Sequence, residues 1–193
     1  MITQSKIEKR EQILETATRL FVERGFHATP TSAITKEAGV SAGILFHYFK
    51  TKDDLIVQLF VELKKEYTTC ILKDVDTLSA GLSKLRIIWL NSWKWGLENP
   101  LKFDFIRQTD NSIYSERIKN HPEIIEKYQF FYNYIQSYKE ARFVKNTNTN
   151  FIMSVMFGLI ISMVSELRLN PELETNALFQ EQAWEMFYNC LKP

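Results

Sequence analysis

Residues 29–52 constrain the fold of this chain more than any other stretch, because they predict two short helices joined by a tight turn. Ile34 and Ala38 lie at helical spacing, and Gly39 follows them with a backbone free to change direction sharply. Ser41 is a residue type that caps the first turn of a helix. The stretch therefore predicts a helix-turn-helix, the motif that places its second helix in the DNA major groove.

The rest of the sequence also favours helix, and no strand pattern competes with it. Gly25 is positioned to end the first helix, Thr29 or Thr31 to cap the second, and Thr51 to cap the fourth. We expect an all-α chain of about nine helices, two of them in the motif and the others over 7–24, 52–74, 78–98, 100–108, 121–143, 151–169 and 175–191.

Residues from about Arg10 to Ile56 resemble the DNA-binding head of the TetR family of bacterial transcriptional regulators. The resemblance rests on an ordered set of residues: Ile13, Leu14, Ala17, Leu20, Phe21, Gly25, Thr29, Ile34, Ala38, Gly39, Val40, Ser41, Gly43, Leu45, Tyr48, Phe49, Lys52 and Leu55. It implies a homodimeric, mainly repressing regulator, with a helix-turn-helix DNA-binding domain over 1–52 and a helical ligand-binding and dimerisation domain over 53–193. The fourth helix would join the two as a lever.

Charge supports the same division. Residues 1–52 carry a net charge of +3, whereas the remaining residues carry −2. A basic segment is where a polyanion docks, so we expect double-stranded operator DNA to bind the amino-terminal part.

Eight residues are candidates for contact with DNA. A recognition helix needs small residues at its start, which Ala42 and Gly43 supply, and Ile44 offers apolar contact suited to thymine methyl groups. His47 would bind a base or a phosphate, or alternatively pack inside the head, and the ring of Tyr48 would be half core. The resemblance implies phosphate contacts from four further positions: Thr31, Ser41, Tyr48 and Lys52.

The carboxy-terminal part is rich in aromatic residues and carries no catalytic motif. Pockets for small molecules are mostly apolar with a few polar groups, so we expect a hydrophobic or aromatic effector. The alternative is that these side chains form ordinary core. The candidate ligand-binding residues are Trp89, Trp93, Phe103, Phe105, Gln108, Phe131 and Met156.

Small side chains recur every four residues on the predicted helix over 151–169, at Ser154, Gly158 and Ser162. Such a stripe lets a second helix approach closely. With Trp184 on the last helix, it predicts half of a symmetric homodimer interface. Alternatively, the stripe packs within its own chain.

Other function classes have little support. Cys70 and Cys190 give neither a disulfide framework nor a metal-ligand pattern, and no cofactor motif or paired catalytic residues are present, so we expect no enzyme. The apolar run over 151–164 would reach about 21 Å as a helix, short of a bilayer core of about 30 Å. We expect a cytoplasmic protein with no membrane partner. The competing hypothesis is a DNA-binding regulator without small-molecule control, either constitutive or controlled by another protein.

Overall fold

The computed structural model describes residues 2–78, 81–110 and 112–193, and the regular structure in these ranges is entirely helical. This confirms the predicted all-α fold. Two short 3-10 helices, Val75–Thr77 and Pro171–Thr175, accompany ten α-helices: α1 (Ile2–Arg24), α2 (Thr31–Glu37), α3 (Ala42–Tyr48), α4 (Lys52–Ile71), α5 (Leu82–Glu98), α6 (Pro100–Asp110), α7 (Ser115–Lys119), α8 (Pro122–Glu140), α9 (Thr149–Leu169) and α10 (Ala177–Leu191).

Several helix limits differ from the sequence prediction. The helix expected to begin at Leu78 begins at Leu82, because Gly81 has φ +128°, which is not a helical conformation. Residues 79 and 80 of that prediction lie outside the described residues, as does Asn111. Helix α7 was not predicted, because five residues are too few to show a helical period.

The chain divides into two compact units, each built from two separate stretches of sequence. The first comprises Met1–Lys64 and Pro100–Ile124, and the second comprises Lys65–Asn99 and Ile125–Pro193. Helices α6 and α7 therefore group with the amino-terminal helices, although they follow α5 in sequence. The functional boundary after residue 52 stays a prediction.

An aromatic core holds the first unit together. Helix α1 buries a stripe that includes Phe21, and α2 and α3 contribute Ile34 and Leu45 to the same interior. Phe26, which follows α1, lies 5.4 Å from the ring of Phe21 and 5.8 Å from that of Phe105 on α6. These ring contacts attach α6 to the end of α1.

A second aromatic cluster lies in the second unit, where α5 packs against α9 and α10. The ring of Trp89 is 5.6 Å from Trp184 and 6.0 Å from Trp93. Arg168 on α9 donates a hydrogen bond of 3.0 Å to the carbonyl of Gly96 on α5. Aromatic packing and this hydrogen bond together fix α5 against the two carboxy-terminal helices.

Helix α9 is longer than its most apolar run. It spans 21 residues, and it is the one helix in the described ranges that is long and apolar enough to cross a membrane. Core helices of soluble proteins can have the same length and apolar composition, so these two properties are weak evidence for a membrane helix. Phe151 and Leu169 at its two ends are largely exposed.

Candidate nucleic-acid interface

A left-handed glycine forms the turn between α2 and α3. Gly39 has φ +65°, a conformation that L side chains rarely adopt. The amide of Val40 donates to the carbonyl of Thr35 over 3.0 Å, which closes the end of α2. The turn thus lets α3 leave α2 at once, as a helix-turn-helix requires.

Helix α3 is capped at its start and anchored at its end. The Ser41 hydroxyl accepts a hydrogen bond of 3.3 Å from the amide of Ile44, which confirms the predicted cap. Leu45 and Phe49 are fully buried and fix the helix to the first unit. These core contacts attach one side of α3 to the first unit and leave the opposite face available.

The opposite face of α3 is an exposed stripe made of Ala42, Gly43, Phe46 and His47, which we call the α3 stripe. Its first two members are small, so the backbone at the start of α3 can approach a surface closely. Its last two members carry rings at the far end. Small residues at the start of an exposed helix face suit insertion into a major groove about 12 Å wide.

One predicted base contact and one neighbouring residue differ from the prediction in their exposure. Ile44 is half-buried, whereas Phe46, which was not among the predicted contacts, is 47% exposed. The spacing of Phe46 from Ala42, one helical turn, was the signal that could have identified it. The ring of Tyr48 lies 5.3 Å from that of His47 and 6.3 Å from that of Phe49, so the tyrosine bridges the exposed and buried sides.

The predicted threonine cap of α2 is wrong. Pro30 occupies the cap position, and no side chain there accepts a hydrogen bond. Thr29 is fully buried, and its hydroxyl donates to the carbonyls of Gly25 at 2.8 Å and Leu20 at 3.1 Å, which satisfies the end of α1. Thr31 is the half-buried first residue of α2.

Lys52 connects the start of α4 to the segment between α1 and α2. Its ammonium donates to the carbonyl of Phe26 at 2.6 Å and to that of Thr29 at 3.1 Å. The Thr51 hydroxyl accepts from the amide of Asp54 at 3.0 Å, which confirms the predicted cap of α4. An ammonium has three donors, so Lys52 retains one beyond these two carbonyls.

Two arginines of α1 neutralise the acidic end of α2. Glu37 accepts from Arg19 at 2.5 Å and from Arg24 at 2.9 Å. The hydrogen bond from Arg19 is the main cause that holds the pKa of Glu37 below its ordinary value, and Arg24 adds to it. The carboxylate is therefore compensated beside a surface proposed to meet phosphates.

Arg10 joins three helices of the head. Its guanidinium donates to Glu62 on α4, with one bond of 3.1 Å, and lies 5.5 Å above the ring of Phe49 at the end of α3. The hydrogen bond to Glu62 raises the pKa of Arg10 despite partial burial. The guanidinium thus positions the end of α3 relative to α1 and α4.

The first turn of α4 also contacts the segment around α7. The Tyr114 hydroxyl donates to Asp53, and the Arg117 guanidinium forms an ion pair with Asp54. Partial burial opposes ionisation of Asp54, but hydrogen bonds from Arg117 and Thr51 outweigh it, so the pKa of Asp54 lies below its ordinary value. Burial, followed by the hydrogen bond to Asp53, raises the pKa of Tyr114.

The structure does not bring the seven candidate ligand-binding residues together in one unit. Phe103, Phe105 and Gln108 belong to the first unit, where both phenylalanines are buried in the core. The other four belong to the second unit, the two tryptophans buried and the others half-buried: Trp89, Trp93, Phe131 and Met156. Sequence composition alone could not separate these two groups.

The predicted stripe of small residues is exposed along α9. Ser154, Gly158 and Ser162 all face away from the interior, and a methyl group added at Gly158 would meet nothing within 4 Å. Trp184, the fourth predicted interface residue, lies instead inside the chain, where it contacts Trp89 and stacks on Tyr188. Its place in this aromatic cluster accounts for its burial.

The described residues contain no group of three or more His, Cys, Asp or Glu side chains that could hold a metal ion.

Comparisons with known proteins agree with the helix-turn-helix geometry. Residues 13–59 match the family model of bacterial regulatory proteins, tetR family. An uncharacterised HTH-type transcriptional regulator of Haemophilus influenzae is 30% identical over 108 residues, which cover 56% of this chain and 58% of that protein. The chain thus spans little more than half the length of this curated relative.

Solved structures extend the similarity to the whole fold. A protein from Shewanella sp. PV-4, named as a tetR family transcription regulator, has a TM-score of 0.88 at 27% identity, covering 96% of this chain and 98% of that one. FadR of Bacillus subtilis, solved in complex with stearoyl-CoA, has a TM-score of 0.69 at 20% identity, covering 92% and 97%. These proteins are named as transcriptional regulators, which agrees with the expectation that this chain is not an enzyme.

Proposed function

Because the chain belongs to the TetR family of bacterial regulatory proteins, we propose that it is a cytoplasmic repressor that leaves its DNA operator when a small molecule binds. The observation that carries the DNA-binding part is the α3 stripe, which begins with two small residues and lies beside a capped helix start. Thr31, Ser41, Tyr48 and Lys52 are the proposed phosphate contacts. Ala42, Gly43, Ile44 and His47 are the proposed base contacts, together with Phe46.

We propose that two copies bind one operator. The exposed serines and glycine of α9 leave room for a helix of a second chain. A dimer would place two α3 helices in successive major grooves, roughly 34 to 36 Å apart. A palindromic operator would follow from the twofold symmetry of the dimer.

The proposed effector is hydrophobic or aromatic and binds among the aromatic residues of the second unit. Support comes from Trp89, Trp93, Phe131 and Met156, and from the indole nitrogen of Trp93, which is buried with no hydrogen-bond partner among the described residues. A ligand acceptor there would satisfy this donor. The stearoyl-CoA bound to FadR makes a long-chain acyl-CoA a reasonable first probe.

A ligand that prefers one conformation of the second unit would change operator affinity by population shift. Helix α4 is the proposed lever, because its residues fall in both units. The alternative, a regulator controlled by another protein or by none, predicts that small molecules leave operator affinity unchanged.

A selection from randomised DNA duplexes tests DNA recognition. The full chain should enrich a palindromic sequence, and Ala42→Asp should abolish enrichment because a carboxylate would meet phosphates. Asn189→Asp, which adds the same charge at an exposed position of α10, should enrich the same sequence. Failure of the unaltered chain to enrich any sequence would contradict the proposed function.

Stearoyl-CoA tests small-molecule control. Binding to the folded state should stabilise it by about 2.7 kcal/mol when the ligand is at about 100 times its Kd, and should weaken binding to the selected duplex. A stabilised protein with unchanged operator affinity would contradict release by this ligand class. An unchanged melting temperature at saturating probe would favour the alternative.

A further inference from the structure

The first turn of α4 is held by two side chains from a distant part of the sequence. The Tyr114 hydroxyl donates to Asp53 Oδ1 over 3.1 Å, and Arg117 forms an ion pair with Asp54 Oδ1. The partners lie 61 and 63 residues apart in sequence. These contacts are therefore tertiary, and they tie α4 to the α7 segment of the first unit.

Tyr114 is itself fixed by the core of the unit. Its side chain is buried, and its ring meets that of Phe26 edge-on at a centroid distance of 5.3 Å. Phe26 in turn packs against Phe21 and Phe105. The phenol oxygen thus presents a rigidly held donor to Asp53.

The turn that these residues hold comes directly after the α3 stripe in sequence. Only Phe49, Lys50 and Thr51 separate α3 from α4. Lys52 also binds the carbonyl of Phe26, the same residue whose ring packs against Tyr114. Since so short a connection transmits orientation, a shift in the first turn of α4 would change the direction of α3.

We propose that Tyr114 and Arg117 are positioning residues for DNA recognition, which orient α3 by holding Asp53 and Asp54. The inference rests on the proposed function, because it assumes that α3 reads DNA. Arg117 acts through Asp54 and not through a phosphate. Sequence selectivity therefore depends on a five-residue helix that is far from α3 in the chain.

Three variants test this role. Tyr114→Phe removes only the hydroxyl and keeps the packed ring, and Arg117→Ala and Asp54→Asn each remove one side of the ion pair. Arg107→Ala is the matched control, because it removes an exposed arginine of the same unit. Arg107 forms an ion pair with Asp104 on its own helix. All measurements use the full chain below its melting temperature.

The expected result is a loss of selectivity in a folded protein. Each test variant should lower the ratio of affinity for the selected duplex to affinity for unselected DNA by about threefold or more, and Arg107→Ala should not. The double variant Arg117→Ala with Asp54→Asn should be no worse than the more severe single variant. Amides of residues 42–48 should exchange hydrogen faster in all three test variants.

Other results would overturn the proposal. A direct phosphate contact by Arg117 would reduce the slope of log affinity against log salt by about 1 and would add to the effect of Asp54→Asn. Unchanged hydrogen exchange in α3 would show that the α7 segment does not hold it. If the unaltered chain selects no DNA, the proposed function fails, and hydrogen exchange alone still decides whether these residues restrain α3.

Discussion

A phenylalanine that is 47% exposed on a short helix forgoes part of the stabilisation, about 2 kcal/mol, that full burial of its side chain would give. Phe46 is in this position, on the same stripe as Ala42 and His47. It lacks a hydroxyl for hydrogen bonds to phosphate. Apolar contact with a thymine methyl group is the interaction left to it in a major groove.

Phe46→Ala should therefore relax base preference without destabilising the fold. We expect the preference for thymine at one position of each half-site to fall by about fivefold or more, because a mismatched base pair costs about 1 to 3 kcal/mol. Leu101→Ala, which truncates an exposed apolar residue of α6, is the control for general loss of apolar surface. Sequencing of selected duplexes measures the effect, and an unchanged thymine preference would show that Phe46 does not read DNA. Ile44→Ala tests the half-buried candidate in the same way.

At the scale of elements, the caps of α3 and α4 join residues that are close in sequence, whereas α6 and α7 pack against residues that are far from them in sequence. Ser41 and Thr51 each accept an amide three residues ahead, so the sequence itself specifies these bonds. Thr29 is a residue type that caps helices, but its hydroxyl donates to the carbonyls of Leu20 on α1 and of Gly25 directly after it. No local sequence pattern reveals these acceptors. The starts of α3 and α4 could therefore be predicted from the sequence, whereas the role of Thr29 could not.

The role of aromatic residues could not be predicted in the same way. Phe105 and Trp89 both lie on helices that the sequence predicts, yet one completes the core of the first unit and the other that of the second. Helical periodicity identifies which residues face inward but not which neighbours they meet. The partners of Asp53 and Asp54 were unpredictable for the same reason.

Ser41→Ala tests the contribution of the α3 cap. Losing the bond to the amide of Ile44 should destabilise the protein by about 1 kcal/mol, because that donor would then depend on water. Ser32→Ala is the matched control, since Ser32 is an exposed serine on α2 that does not occupy a cap position. Urea denaturation measures both, and equal midpoints for the two variants would contradict a stabilising cap.

At the scale of the whole molecule, the exposed small residues of α9 predict the oligomeric state. A tryptophan at position 158 would project from the face where a second helix is proposed to pack, so Gly158→Trp should give a monomer in analytical sedimentation. Lys36→Trp adds the same ring at an exposed position of α2 and should remain dimeric. A dimeric Gly158→Trp protein would exclude this face as the interface.

The split composition of the first unit has a consequence for synthesis on the ribosome. Its core is completed by Pro100–Ile124, which is translated after Lys65–Asn99 of the second unit. Sixty residues separate Lys64 from Ile124. At about 5 to 20 residues per second, this delay is roughly 3 to 12 seconds. During that time α1 has emerged without Phe105 to cover Phe21 and Phe26, and Asp53 and Asp54 have no partners from α7. A nascent chain should therefore acquire its DNA-reading conformation only after the first stretch of its second unit, Lys65–Asn99, has also been translated.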